Sequence, residues 1–197
     1  LGLEHPKTAA ALNNLAQLYD DQGRYEPSEA LYWQALAIYE KALGSEHPDV
    51  ADTLNNLAYL YDLQGKYEQA EPLYQRALAI YEHALGPEHP NTANTLNNLA
   101  WLYKAQGKYE QAEPLHQRAL AIREKVTGPN HPDTASSLNN LAELYHAQGR
   151  YVQAEPLYQR ALSIREQVLG SEHPKTAATV SNLARLYQDQ GRYVQAE

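Results

Sequence analysis

Asparagines recur along the sequence in adjacent pairs, and their amides could hold the backbone of another polypeptide. The pairs are Asn13 and Asn14, Asn55 and Asn56, Asn97 and Asn98, and Asn139 and Asn140, with Ser181 and Asn182 in the last copy. A carboxamide both donates and accepts hydrogen bonds, as a peptide backbone does. Asparagine inside a helix costs roughly 0.5 kcal/mol relative to alanine, so its repeated use predicts a binding role. The alternative is that one asparagine of each pair bonds to a neighbouring repeat.

A second candidate position lies three residues after each pair and carries a different chemical group in every copy. Its residues are Gln17, Tyr59, Trp101, Glu143 and Arg185. Rigid aromatic side chains often dominate protein interfaces, which makes Tyr59 and Trp101 the predicted anchors. The alternative for Trp101 is packing against a neighbouring helix. Because the residues around this position hardly change, the pattern indicates a surface whose chemistry is set repeat by repeat.

Charged and polar residues extend this candidate surface. Its N-terminal part is acidic, through Asp20, Asp21, Asp52 and Asp62. Its C-terminal part is mixed, through Lys104, Glu143 and Arg185, and Asn94 is a further candidate. A surface that is acidic at one end and aromatic in its middle predicts a protein or peptide partner with an apolar anchor and a basic flank.

Histidine precedes proline at five positions that are a fixed distance apart, namely His5, His47, His89, His131 and His173. A metal ion needs several ligands within about 2.1 Å, and this spacing separates them. Proline is favoured in the first turn of a helix, so we interpret each pair as a helix start. His83, His116 and His146 show no metal-binding spacing, and neither a phosphate-binding loop nor a Gly-x-Ser-x-Gly motif occurs. We expect no metal, no cofactor and no catalytic residue, and hence a protein that is not an enzyme.

The candidate residues must be positioned by repeated pairs of helices. Leu54, Leu57, Ala58 and Tyr61 follow the i, i+3, i+4, i+7 spacing of one helical face, and the asparagines fall on a roughly opposite face. In this second repeat we predict a first helix over about 48–64 and a second over about 67–85. A glycine follows each helix, where a left-handed backbone conformation ends it.

Two features of the second helix carry further expectations. Pro72, with Pro114 and Pro156 at matching positions, predicts a slightly bent or late-starting first turn, whereas Ala30 stands there in the first repeat. Tyr39 and Tyr81 are replaced by Arg123 and Arg165. We expect the side chains of these arginines to extend into solvent. The alternative is that they form a basic wall, a positively charged surface in the C-terminal half.

The motifs recur every 42 residues, which defines a repeat array. Such units bury their apolar faces only against their neighbours. We divide the chain into repeats at about 5–46, 47–88, 89–130, 131–172 and 173–197, the last one partial. The prediction is a single solenoid over residues 1–197, with nine full helices and a stump. The absence of methionine and the incomplete repeats at both ends indicate a fragment of a longer array.

Composition limits the classes of partner and the location. The formal net charge of −8 over 197 residues argues against nucleic acid and anionic membranes, which reward clustered Lys and Arg. No long apolar run predicts a membrane span, so we expect a cytoplasmic protein with no membrane partner. The absence of cysteine excludes disulfides and thiolate metal sites.

The motif combination resembles the tetratricopeptide repeat (TPR). Its carriers in the second repeat are Leu57-Ala58, Gly65-Lys66-Tyr67, Ala70 and Ala77. The usual repeat has about 34 residues. The longer 42-residue form, with Leu-Asn-Asn-Leu-Ala and Ala-Glu-Pro-Leu-Tyr, is similar to repeats of kinesin light chains and of bacterial arrays of that kind.

This resemblance implies an all-α, right-handed superhelical solenoid of antiparallel helix pairs with about four and a half repeats. It also implies a scaffold whose first helices line a concave groove for an extended peptide or partner helix, with asparagines bonding to the peptide backbone. The alternative is a structural spacer that associates with itself end to end through uncapped repeats. An array that supports a catalytic domain elsewhere in a longer protein is also compatible.

Overall fold

A computed structural model describes residues 4–196, in which short turns and loops connect α-helices and no strand occurs. The helices are α1 (Pro6–Asp21), α2 (Tyr25–Leu43), α3 (Pro48–Leu63), α4 (Tyr67–Ala84), α5 (Pro90–Ala105), α6 (Tyr109–Val126), α7 (Pro132–Ala147), α8 (Tyr151–Leu169), α9 (Pro174–Asp189) and α10 (Tyr193–Ala196). Within the described residues, nine of these helices are long and the tenth has four residues. The predicted nine helices and a stump are therefore confirmed.

The chain forms two compact units, unit 1 ending at Leu102 and unit 2 beginning at Tyr103. In unit 1, α1 packs on α2 and α3 packs on α4, and α2 also contacts α3. In unit 2, α7 packs on α8, while α6 contacts α7 and α8 contacts α9. A single solenoid over the whole chain stays a prediction. The expectation of a longer array concerns residues 1–3 and 197, which lie outside the described residues.

Each His-Pro pair begins a helix, as predicted. The Nδ1 atom of His47 accepts a hydrogen bond of 3.2 Å from the backbone N–H of Asp49, and Pro48 follows as the first helical residue. The same contact is made by His5, His89, His131 and His173. An imidazole that accepts a first-turn N–H satisfies a donor that has no partner inside the helix. These histidines are therefore N-caps.

Glycines end the helices in the left-handed conformation that the sequence predicts. Gly65 has φ of +71°, and the N–H of the next residue, Lys66, donates to the Tyr61 carbonyl at 2.8 Å. This reverses the chain within three residues. The boundaries differ from prediction by one residue, because Gln64 and Leu85 are C-caps of α3 and α4.

Pro72 does not delay its helix, so the late start predicted for α4 is wrong, while the alternative of a bent first turn stays a prediction. The helix begins at Tyr67, the same repeat position as Tyr25 of α2, which has Ala30 in place of the proline. Pro72 is the sixth residue of α4 and is exposed. Because proline has no N–H, the carbonyl of Glu68 lacks its usual hydrogen-bond donor in the helix. Glu68 is a solvent-exposed residue.

The core of each unit uses packing positions that the 3.6-residue periodicity predicted, together with an isoleucine of the second helix that it did not predict. In unit 1, Leu54 of α3 is fully buried with Ala77 and Ile80 of α4. The same three positions form the core of unit 2 as Leu138, Ala161 and Ile164. Burying apolar surface at about 25 cal/mol per Å² makes these contacts the main source of stability.

Arg123 and Arg165 are buried, so the expectation that they are solvent-facing is wrong. Each is 6% exposed. Arg165 Nη1 donates to the Lys175 carbonyl at 3.0 Å, and Nη2 donates to Ser136 Oγ at 3.2 Å. The position is a packing position, since Tyr81 is buried there in the second repeat. The arginines therefore join helices by hydrogen bonds and do not form a basic wall.

Candidate functional site

The candidate face of unit 1 is the side of α1, α3 and α5 that points away from the core. Tyr59 is 49% exposed and Gln17 is exposed at the equivalent position of α1. Asp52 and Asn94, which also occupy equivalent positions, are both exposed. Trp101 is half-buried. The structure thus places these predicted residues on accessible parts of the first helices.

The first asparagine of a pair is used by the next repeat in unit 1. Asn13 Nδ2 donates to Thr53 Oγ1 at 2.8 Å. Asn55 Oδ1 accepts from Thr95 Oγ1 and from Asn98 Nδ2, both at 3.3 Å. The alternative that one asparagine of each pair bonds to a neighbouring repeat is therefore correct for Asn13 and Asn55. Asn97 is half-buried at the same position.

The second asparagines of the pairs are less uniform. Asn14 is exposed and Asn56 is half-buried, and neither makes a side-chain hydrogen bond within the described residues. Asn98, by contrast, uses its amide N–H to contact Asn55. In unit 2, Asn140 is half-buried. The amides of Asn14 and Asn56 are thus the ones in unit 1 that remain open to an external backbone.

Glu143 organises the candidate face of unit 2. Its Oε1 accepts from Asn139 Nδ2 at 2.7 Å and from Asn182 Nδ2 at 3.1 Å. Lys104 Nζ lies 3.4 Å from its Oε2. Asn182 Nδ2 also lies 3.2 Å from Asn139 Oδ1. Glu143 is therefore held by amides and a cation inside the unit, which limits its direct use by a ligand.

A cavity of about 290 Å³ lies beside this carboxylate. It is lined by Lys104, Glu143, His146, Ala147, Arg185 and Asp189. Burial lowers the pKa of Lys104, and the nearby Glu143 opposes that shift while Arg185 adds to it. His146 Nε2 lies 2.7 Å from Asp189 Oδ2. The result is a compact set of charges of both signs contributed by α5, α7 and α9.

Three carboxylates of unit 1 differ in whether they already have a hydroxyl partner. Tyr32 donates to Asp20 Oδ2 at 2.9 Å, and Tyr81 donates to Asp52. Asp62 makes no side-chain hydrogen bond or ion pair within the described residues, and burial raises its pKa. The acidic part that the sequence predicted is present, but only some of its charge is open to a partner.

Sequence reasoning overlooked His146 and Asp189. His146 belongs to a position three residues after the variable one, and its residues are Asp20, Asp62, Lys104, His146 and Gln188. This position also changes its chemistry in every repeat but one, which was a usable signal. The contact of His146 with Asp189 depends on how α7 and α9 pack, and the sequence alone does not give that.

The repeat type is settled by comparison with known families. Models described as tetratricopeptide repeat match residues 8–49, 49–125, 102–166 and 133–197. The chain belongs to the tetratricopeptide repeat family. A search of curated proteins found no significant match.

Two solved TPR structures that are at least 30% identical to this chain have the same fold. BtubC (BKLC) from P. vanneervenii is 30% identical, with a TM-score of 0.85 over 97% of this chain and 76% of that one. The nearly identical TPR-like repeats of a candidate kinesin light chain from Podosopora anserina are 32% identical, with a TM-score of 0.82 over 98% and 91%. The predicted resemblance to kinesin light chain repeats and to a bacterial relative is confirmed.

More distant structures share the fold alone. Aspartyl phosphate phosphatase F from Bacillus subtilis is 15% identical, with a TM-score of 0.73 over 97% of this chain and 57% of that one. The all-α TPR fold class is thus confirmed, and this TPR chain is a repeat scaffold of the kind used for protein interactions.

The structure of the TPR chain also bears on metal binding and on membrane insertion. Among residues 4–196, no three His, Asp or Glu side chains lie close enough together to hold a metal ion. None of the helices in that range is both long and apolar enough to cross a membrane.

Proposed function

We propose that this TPR chain binds an extended peptide, or a helix of a partner protein, on the exposed faces of its first helices. The likeness to a candidate kinesin light chain supports this class of ligand. The face in unit 1 comprises Asn14, Gln17, Asn56, Tyr59 and Asn94. The face in unit 2 comprises Asn140, Glu143, Asn182, Arg185 and Lys104.

One observation carries the proposal. Ala16 and Ala58 are fully buried, while the residues directly after them, Gln17 and Tyr59, are exposed. A position that is exposed in both of these repeats and changes from an amide to a phenol contributes little to the core. Its chemistry is therefore available for recognition, and side chains at interfaces act in this way.

Unit 1 offers the contacts that the predicted partner requires. Tyr59 and Leu63 are 49% and 47% exposed and lie one helical turn apart on α3. They present apolar surface to an anchor residue, and Asp62 between them presents negative charge to a basic flank. The open amides of Asn14 and Asn56 can bond to a peptide backbone, each contributing about 1 kcal/mol.

The test is a selection from a random-peptide display library against the native chain and two single variants. Tyr59→Gln installs the residue that the first repeat has at this position. The matched control is Trp33→Gln, since Trp33 is an exposed aromatic on α2 and the other repeats have glutamine there. Trp33 Nε1 donates to the Tyr61 hydroxyl at 3.4 Å, and Gln159 makes the equivalent bond to Tyr187 at 3.1 Å, so the control keeps its contact.

Enrichment of one motif on the native chain and on Trp33→Gln, with its loss on Tyr59→Gln, is the expected result. Circular dichroism should first establish that all three proteins are equally helical. If no motif is enriched on the native chain, or if the motif survives Tyr59→Gln, the proposed face does not bind peptides.

A self-associating array is the alternative, and the surface of α1 favours it. Leu15 and Leu18 are 39% and 50% exposed, whereas Leu57 and Leu60 at the same positions of α3 are completely buried. A second copy could cover this apolar surface. Sedimentation at several concentrations, repeated with Leu18→Gln, tests this. If the chain associates with itself, its apparent mass rises with concentration, and the variant loses that rise.

A further inference from the structure

We propose that Tyr59, Asp62 and Leu63 of α3, with Tyr74 of α4 beneath them, form a subsite for one lysine or arginine side chain. We call these four residues the cation subsite. The inference rests on the proposed function, because the cation would belong to the bound partner. It names one side chain of that partner and the atoms that recognise it.

The first argument is a contrast between two repeats at identical positions. In the first repeat the Tyr32 hydroxyl donates to Asp20 at 2.9 Å. In the second repeat Tyr74 and Asp62 take these places, yet the fully buried hydroxyl of Tyr74 has no hydrogen-bond partner within the described residues. Buried polar groups in native proteins are almost always paired. In the second repeat both members of this pair of positions are left unpaired, which marks a site that a ligand can complete.

The second argument is electrostatic. Burial raises the pKa of Asp62, and nothing opposes that shift. Burial also raises the pKa of Asp20, but the hydroxyls of Ser28 and Tyr32 act against it. Ala70 stands in α4 where α2 has Ser28. Tyr74 is near enough to Asp62 for the carboxylate to raise the pKa of the phenol. Asp62 thus lacks the donors that stabilise Asp20, and a cation would supply one.

The third argument concerns shape and the type of cation. Tyr59 precedes Asp62 by three residues and Leu63 follows it, so two half-exposed apolar side chains flank the carboxylate. A lysine or arginine has a methylene stem that packs on apolar surface while its charged head reaches a polar group. The ring of Tyr59 also attracts a cation through its π face.

The surroundings favour an organic cation over a metal ion. Asp62 is a single carboxylate, and no cluster of three potential ligands occurs within residues 4–196. The positions of Tyr59 and Leu63 are occupied by Gln17 and Asp21 in the first repeat. The first repeat therefore has an acidic site without an apolar flank, and its carboxylate at Asp20 is already bonded. The cation subsite belongs to the second repeat.

The test is an NMR titration of the native chain with three small probes, Nα-acetyl-lysine methylamide, Nα-acetyl-arginine methylamide and the norleucine analogue. Asp62→Asn removes the charge with almost no change of shape. Glu68→Gln is the matched control, since it removes an equal charge from an exposed position of α4 in the same repeat. Tyr59→Gln is a second variant that keeps Asp62 and removes the aromatic flank.

The expected result is saturable shifts of the Tyr59, Asp62 and Leu63 signals with the lysine or the arginine probe. Binding should weaken about tenfold in Asp62→Asn, the size of one charge-assisted hydrogen bond. It should weaken measurably in Tyr59→Gln and stay unchanged in Glu68→Gln. A preference between lysine and arginine identifies the cation, because both are consistent with the subsite.

Three results would overturn the inference. These are equal binding of the norleucine probe, equal weakening by Asp62→Asn and Glu68→Gln, and no shift at these residues with either cationic probe. The display selection is independent of this outcome. If the enriched peptides lack a basic residue and neither cationic probe binds, the result contradicts the cation subsite but not peptide binding. If a cationic probe binds but no peptide is enriched, the result contradicts peptide binding and retains the cation subsite.

Discussion

The hydroxyl of Tyr32 donates a 2.9 Å hydrogen bond to Asp20 Oδ2, which joins α2 to α1. One repeat later Tyr74 lies at the same position with its buried hydroxyl unpaired within the described residues. Nearly identical repeats thus use the same tyrosine in different ways. One tyrosine stabilises its own repeat, and the other leaves a polar position incomplete. The difference can be measured as folding stability.

Tyr32→Phe should lower the free energy of unfolding by about 1–2 kcal/mol, because Asp20 loses its donor. Tyr74→Phe should leave that free energy unchanged or raise it by up to about 1 kcal/mol, because it removes a buried hydroxyl that has no partner. Urea unfolding followed by circular dichroism gives both values. Equal destabilisation by the two substitutions would mean that Tyr74 is hydrogen-bonded in solution.

The buried arginine of unit 2 should matter far more for stability than an exposed one on the same helix. Arg165→Ala removes donors to Lys175, Thr179 and Ser136 in a packed environment and should cost about 2–4 kcal/mol. Arg160 is the control, since its 2.6 Å ion pair with Glu124 is about 40% exposed and such pairs contribute less than about 1 kcal/mol.

Urea unfolding of Arg165→Ala and Arg160→Ala gives the two losses of free energy. A cost for Arg165→Ala as small as that for Arg160→Ala would show that the buried hydrogen bonds only balance the desolvation of the charge.

Helix periodicity predicted the packing face, and proline and glycine predicted the helix starts and the turns, because these features follow from residue spacing within one repeat. Leu54, Gly65 and the His47-Pro48 pair each adopt the role that their spacing indicates. Contacts between repeats could not be predicted in this way. Whether Asn55 faces a ligand or the next repeat depends on the offset between successive first helices, which no residue spacing within one repeat encodes.

Arg165 shows a second limit of sequence reasoning. Its charge suggests exposure, although the periodicity places Tyr81, its equivalent, on the packing face. Position in the repeat is the better guide, because hydrogen bonds from both terminal nitrogens to a carbonyl and two hydroxyls stabilise the buried guanidinium. For the candidate face, periodicity located the exposed residues. It did not show which of them are already hydrogen-bonded within the protein.

The asparagines should divide into structural and open ones. Asn55→Ala removes the acceptor used by Thr95 and Asn98 and should lower the free energy of unfolding by about 1–2 kcal/mol. Asn14→Ala is the control, since Asn14 is exposed and unbonded within the described residues, and a change below about 0.5 kcal/mol is expected. If both variants are as stable as the native chain, the bonds between repeats add nothing to stability.

Acid should destabilise the chain through His116. This side chain is fully buried, and burial together with the charge of Lys104 lowers its pKa to about 3. In the unfolded chain a histidine takes up its proton near pH 6.5. The unfolded state therefore binds more protons between about pH 6.5 and 3, and stability falls as the pH falls through that range. At pH 5 the loss relative to pH 7 should be about 2 kcal/mol from this group.

His116→Tyr is the matched variant, because Tyr32, Tyr74 and Tyr158 occupy the same position in other repeats. Tyrosine stays neutral throughout this pH range, so the variant should lose much less stability between pH 7 and 5 in urea unfolding. The other histidines and the carboxylates are the same in both proteins, so their contributions cancel in the comparison. Parallel losses in the two proteins would show that His116 is protonated in the folded state, and hence that its surroundings hold a charge.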